Sequence, residues 1–250
     1  MSIDTRVRAT LAGLATATAL LALLAIGGAG CGGSGSGSTT TSTPYNDADA
    51  GPPTVTSGPY QPLTIGSTWA YHVDDQGVVY EKDSAVEALE DMGGMEAGVM
   101  GYRVRETVKA SIQLTWYEQT ATDVRRHHDT LTDSTGRMLS DEWYAPYLLR
   151  VDESPDHLQT GASWTIDYMH TKTTSSKPTT TTNQAETWKV DGIDVYTVTQ
   201  AGIFNALRIT RTDTSDGSTK TQWFVRGVGK VRELTGAGHF EELTSYTIAP

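Results

Sequence analysis

From Trp188 onward the chain alternates apolar and polar residues in short runs punctuated by glycine turns, and this pattern restricts the fold more than any other feature. Trp188 to Val190, Val195 to Gln200, Ala206 to Thr212, Thr219 to Val225 and Leu243 to Ile248 each read as a strand. Asp191-Gly192, Gly202 and Asp216-Gly217 punctuate them as turns or bends, and Gly227 and Gly229 mark a bulge or bend. The same alternation holds in Thr68 to Val73, Tyr102 to Val108 and Ile112 to Trp116. Six Trp and eleven Tyr against three Phe, with many Thr, suit half-buried pleated surfaces better than helix faces. The expected fold class is mostly β: a strongly curved antiparallel sheet or partly closed barrel. One short helix is expected at Ser84 to Met92, where Ser84-Ala-Val-Glu87 has capping-box spacing, Val86, Leu89 and Met92 lie three apart, and Gly93-Gly94 offers a cap. Trp143 to Val151 reads as extended and irregular, and Lys172 to Asn183 as a Thr/Ser-rich hairpin loop.

Leu63-Thr-Ile-Gly-Ser-Thr-Trp69 and Leu158-Gln-Thr-Gly-Ala-Ser-Trp164 share the spacing Leu-x-x-Gly-x-x-Trp. The pair suggests two similar halves, 60–155 and 156–250, each opened by a turn and a strand.

The N-terminal stretch has a different character. Arg6 and Arg8 precede an apolar run from Leu11 to Ile26, and Gly27 to Gly30 lead into Cys31, the single cysteine. This is the layout of an export signal, and the run is too short to span a bilayer. A lone Cys after small residues resembles a bacterial lipoprotein signal. That resemblance implies removal of 1–30 and acylation of Cys31, with palmitate among the chains attached. The membrane is then a partner through the lipid, and Gly32, not Asp, after Cys31 points to the outer membrane. The rival reading is ordinary cleavage near Ala29, which leaves a free thiol; Gly28 stands where lipoprotein signals usually carry an aliphatic residue. Residues 31–59, with Gly-Ser repeats, then Thr, Asp47, Asp49, Pro52 and Pro53, read as a disordered tether. A single β domain then occupies 60–250. With no further cysteine, a packed core and not disulfides must hold it.

A net charge of −11 and the lack of a Lys/Arg stripe argue against nucleic acid as a partner. No Gly-x-Ser-x-Gly elbow occurs, and Gly227-Val-Gly-Lys230 lacks the long Gly-rich run of a phosphate loop. Nothing calls for a cofactor, and the chain reads as non-catalytic. The conspicuous polar cluster is Arg125-Arg-His-His-Asp129. On a regular strand, Arg125, His127 and Asp129 share one face, and Arg126 and His128 the other. His127 and Asp129 are then a candidate metal pair for an assisted hydrolase, and Arg126 and His128 a candidate ligand-facing pair. The bland alternative is a set of ion pairs with nearby acids. Trp69 and Trp164 are candidates to line a cavity, or else core.

Ala201-Gly-Ile-Phe-Asn-Ala-Leu207, Trp223-Phe-Val-Arg-Gly-Val-Gly-Lys-Val231 and the Leu63 to Trp69 box resemble uncharacterised bacterial lipoproteins of the TapB-like kind. Those families carry a Pro-Leu-x-x-Gly-x-x-Trp opening, an Ala-Gly-x-Phe-x-x-Leu turn and a Trp-x-x-x-Gly-Val-Gly strand in this order. The resemblance covers Pro62 to Leu243 and rests on turn and packing residues. It implies a curved sheet around an apolar cavity, similar in outline to the half-barrel periplasmic lipoprotein carriers. The expected role is a cell-envelope lipoprotein binding an apolar or amphipathic ligand, or a partner protein, on its curved sheet. The alternative is a structural or assembly module of an envelope complex, acting through a sheet edge or the 172–183 loop.

Overall fold

The computed structural model describes residues 57–250; the signal at 1–30, Cys31 and nearly all of the 31–59 tether lie outside them. Twelve strands succeed one another: β1 Thr68–Asp75, β2 Val78–Asp91, β3 Met100–Val108, β4 Ser111–Gln119, β5 Asp123–Asp133, β6 Met138–Asp152, β7 Ser163–Thr174, β8 Lys177–Thr199, β9 Gly202–Asp213, β10 Thr219–Val225, β11 Gly229–Thr235 and β12 His239–Thr247. Each pairs antiparallel with the next, and β1 also pairs with β12, so the sheet closes into a barrel. Closure leaves no free edge along the wall.

Alternation decides what faces inward. Trp69, Tyr71 and Val73 of β1 lie opposite Ser84, Lys82 and Tyr80 of β2, and all of these share the inner face. One end of the barrel is packed solid. Val86, Val104, Val190, Leu207, Ile209, Phe224, Val231 and Leu243 fill it, all essentially buried. Each such side chain contributes about 1.5–3 kcal/mol relative to exposure. The segment ahead of β1 seals this end, with Tyr60 and Leu63 inserted into the core. Hydrogen bonds from the backbone hold that segment: Gly227 N donates to the Pro59 carbonyl (2.8 Å) and Tyr60 N to Glu153 Oε1 (2.7 Å). Arg226 completes the seal, paired with Glu153 at 3.1 Å and stacked 4.2 Å over the Tyr60 ring.

The outer surface carries ion pairs such as Arg103–Glu90, Arg125–Glu118 and Arg232–Glu242. A barrel that crosses a membrane needs a continuous apolar belt there instead. No helix among the described residues is long and apolar enough to cross a membrane.

Three local expectations are corrected. The helix expected at Ser84 to Met92 belongs to β2, and the helical content of the described residues is one 3-10 turn, Gly94–Glu96. Two turns of helix are marginal alone, whereas this stretch pairs with β3 on one side and partly with β1 on the other. A bulge between Val86 and Ala88 changes the phase, so Val86 lies opposite Val104 and Leu89 opposite Tyr102, and residues three apart come to share a face. The turn expected at Asp191-Gly192 is likewise a pair of bulges inside the single strand β8. The 172–183 loop is instead paired β7–β8 strand, laced by Thr171–Thr181 (3.0 Å) and Thr173–Thr179 (2.8 Å) hydroxyl bonds.

Candidate functional site

Towards the other end, the inner face changes from apolar to charged. The same alternation that buries Val86 and Val104 also turns Lys82 and Glu106 inward, and strands β10 to β12 add Lys220, Gln222, Glu233 and Glu241. These groups form one network. Glu241 takes Lys82 and Lys230 at 2.7 Å each. Glu233 takes Lys230 at 2.9 Å, Lys220 at 3.0 Å and the Gln222 amide at 2.8 Å. Burial alone pushes the Glu241 carboxyl up, but Lys230 and Lys82 hold it well below the usual carboxylate range. Burial likewise opposes the charge on Lys82, and Glu106 and Glu241 override it and raise its pKa.

Two further clusters stand nearer the opening. Arg126 donates through Nε to Asp129 (2.8 Å), and the Tyr144 hydroxyl donates to the other oxygen of Asp129 (3.0 Å). Arg211 embraces Glu186, with contacts from 2.6 to 3.0 Å, over the face of Trp188, and the Tyr168 hydroxyl also reaches Glu186. Between these clusters lies an open cavity of about 720 Å³, lined by Arg126, Tyr144, Leu148, Tyr168, Glu186 and Arg211 and rimmed by the 216–219 and 235–237 turns. Volume and composition suit a small ligand with both charged and flat apolar parts. Buried ion pairs add little stability over apolar packing of the same shape, so this much charge inside a barrel is a feature for function to explain.

Three of the buried lumen groups are held in one protonation state. Glu233 and Glu241 are held below the carboxylate range and Tyr144 is pushed above the phenol range by burial, away from neutrality.

The Arg125 to Asp129 cluster is arranged differently from a regular strand. A bulge between Arg126 and His128 puts Arg126 and Asp129 together inside, and turns Arg125, His127 and His128 outward. His128 is stacked between Trp116 (4.6 Å) and Trp143 (3.8 Å) and bonded to Asp141 at 2.6 Å, away from the lumen. His127 meets Glu118 at 3.2 Å. His127 and Asp129 are thus separated by the barrel wall, and among the described residues no group of three or more metal-capable side chains converges. Of the remaining candidates, Arg126 lines the cavity. Trp69 is core, donating to the Val228 carbonyl at 2.6 Å, and Trp164 stacks 3.9 Å from His157 beside Trp188.

Sequence reasoning passed over Lys82, Arg150, Glu186, Arg211, Lys220, Glu233 and Glu241. For several of them the signal was available in the spacing from inner-face residues, as in Lys82-x-Ser84-x-Val86 and Lys220-x-Gln222-x-Phe224. Comparison of the chain with protein-family models, with curated proteins and with solved structures finds no match.

Proposed function

We propose that this chain is a non-catalytic binding protein of the bacterial cell envelope, tethered to the outer membrane through an acylated Cys31, whose barrel lumen takes a small amphipathic ligand. The observation that carries the binding role is the open cavity whose wall is built from the Arg126–Asp129 and Arg211–Glu186 pairs beside Tyr144, Tyr168 and Leu148. A wholly apolar ligand would leave those charges dehydrated without new partners, whereas one with a polar head and a flat or aliphatic body satisfies both surfaces.

Native mass spectrometry of the full chain, purified gently from membranes, tests the reading. A sub-kilodalton adduct is expected on the wild type and is lost in Ser218→Trp, which fills the exposed rim of the cavity without touching the core. A bare wild-type mass, or an adduct indifferent to Ser218→Trp, would refute lumen binding. The anchor is tested separately: Cys31→Ser should no longer incorporate labelled palmitate and should leave the membrane fraction.

A further inference from the structure

Among the described residues, the cations of the lumen pair with carboxylates: Lys82, Lys220 and Lys230 in the deep network, Arg126 on Asp129 and Arg211 on Glu186. Arg150 is the exception. It stands on β6 two residues beyond Leu148, which lines the cavity, and its guanidinium carbon lies 5.3 Å from the centre of the buried Phe224 ring. The ladder explains the placement. Val124 pairs with Val151 and Arg125 with Leu149, so Arg150 is the extra residue of a bulge, a device that re-aims a side chain. Among the described residues its guanidinium forms no ion pair and no hydrogen bond, although the Glu233 and Glu106 carboxylates act on it from further off.

A guanidinium cannot shed its proton, so its charge persists wherever it is buried. Its fork of donors matches the two oxygens of a carboxylate or phosphate. A second donor is close: burial raises the pKa of the Tyr117 phenol and keeps it neutral, and the charge of Arg150 partly counters that rise. Tyr117 lies opposite Arg126 in the β4–β5 ladder, and its hydroxyl has no partner among the described residues. We infer that Arg150 is the anion subsite of the lumen, receiving the carboxylate or phosphate group of the ligand with help from the Tyr117 hydroxyl, while the neighbouring cavity, lined by Leu148 and Arg126, holds the remainder. This rests on the lumen-binding reading and specifies which chemical class enters.

The test uses small oxyanions. The full chain is titrated with inorganic phosphate and, separately, with formate at constant ionic strength set by sodium chloride, followed by calorimetry and by Tm. Both anions should bind, and Tm should rise by about 5 °C once the anion stands roughly fifty-fold above its Kd. Arg150→Met should abolish the response. Arg150→Lys keeps the charge and loses the fork, and should bind roughly tenfold more weakly; it decides the matter if the Met variant does not fold. A wild type indifferent to both oxyanions, or an equal response in both variants, would overturn the assignment. Binding of phosphate but not formate, or the reverse, names the head group. An adduct in native mass spectrometry without any Arg150-dependent anion response removes the subsite and leaves lumen binding standing. Anion binding with no adduct does the opposite.

Discussion

Glu241 is the residue on which most of the buried charge depends, since Lys82 and Lys230 both reach it at 2.7 Å and its side chain is almost wholly excluded from solvent. Removing its charge strands two ammonium groups with only Glu106 and Glu233 to compensate. Glu241→Gln is therefore expected to cost about 3–5 kcal/mol in urea unfolding, whereas Glu87→Gln, which strips an exposed pair with Arg103, should cost under about 1 kcal/mol. Glu142 gives the acid side of the same logic. The His170 hydrogen bond, with Lys172 beside it, lowers its carboxyl from 4.5 to about 2 against the effect of burial. A depressed folded-state pKa contributes stability above the unfolded value and loses it as pH falls, here from about 4.5 down to about 2. In Glu142→Gln the loss of stability on acidification through that window should be shallower than in the wild type; identical slopes would show that Glu142 is not linked to folding.

At the level of elements, the two Leu-x-x-Gly-x-x-Trp boxes behave alike. In the first, Gly66 takes φ 94° and donates to the Val86 carbonyl, while Val86 N donates to the Ser67 carbonyl; in the second, Gly161 takes φ 88° and donates to the Val190 carbonyl, while Val190 N donates to the Ala162 carbonyl. Each box ends by delivering a Trp to the second residue of a strand, β1 or β7. Gly→Ala at either position forces a left-handed backbone on a residue with a Cβ and should cost about 1–2 kcal/mol at both sites, measured by chemical unfolding. A large loss at one and none at the other would mean that the boxes are not equivalent supports. These boxes, and most strands, were legible because their signals are local: period-two alternation, a glycine at a positive φ, a Trp at a fixed distance. Apart from the bulge or bend marked by Gly227 and Gly229, bulges were not legible. The extra residues at Glu87, His127, Arg150 and Asp191 shift the phase of the residues beyond them, and no local pattern announces them. That is why Arg126 and Asp129, assigned to opposite faces by alternation, meet inside, and why a three-residue apolar spacing in β2 imitates a helix. The lumen charges were hidden for a related reason. Alternation assigns residues to two faces, but only closure of the sheet makes one of those faces an interior on every strand at once.

Closure is the property of the whole molecule that the sequence order conceals, because the final pairing joins the first strand to the last. Tyr71 lies beside Leu243 and Val73 beside Glu241 across the β1–β12 seam, and Lys82 of β2 completes its ion pair only when β12 is in place. The two ends of the described chain also lie at the same end of the barrel, where Ala249 N donates to the Ser67 hydroxyl at 3.1 Å. Removing β12 therefore takes away both a wall and the shared counterion, while the position of the chain break should matter little as long as all twelve strands remain. Two variants separate these effects. A chain cut after Thr235 should fail to fold cooperatively. A permutant that joins Pro250 to Ser57 through a flexible linker of about ten residues, and opens at the exposed Ser175-Ser176 turn above the rim, should keep the cooperative transition with a Tm within a few degrees of the wild type. Because the break lies at the tip of the β7–β8 extension, the permutant leaves the Arg126, Arg211 and Arg150 clusters as they are, and it should bind the oxyanion probes with unchanged affinity. A permutant that folds but has lost anion binding would mean that the overhanging hairpin contributes to the lumen, a role that its Thr-lined exterior gives no sign of.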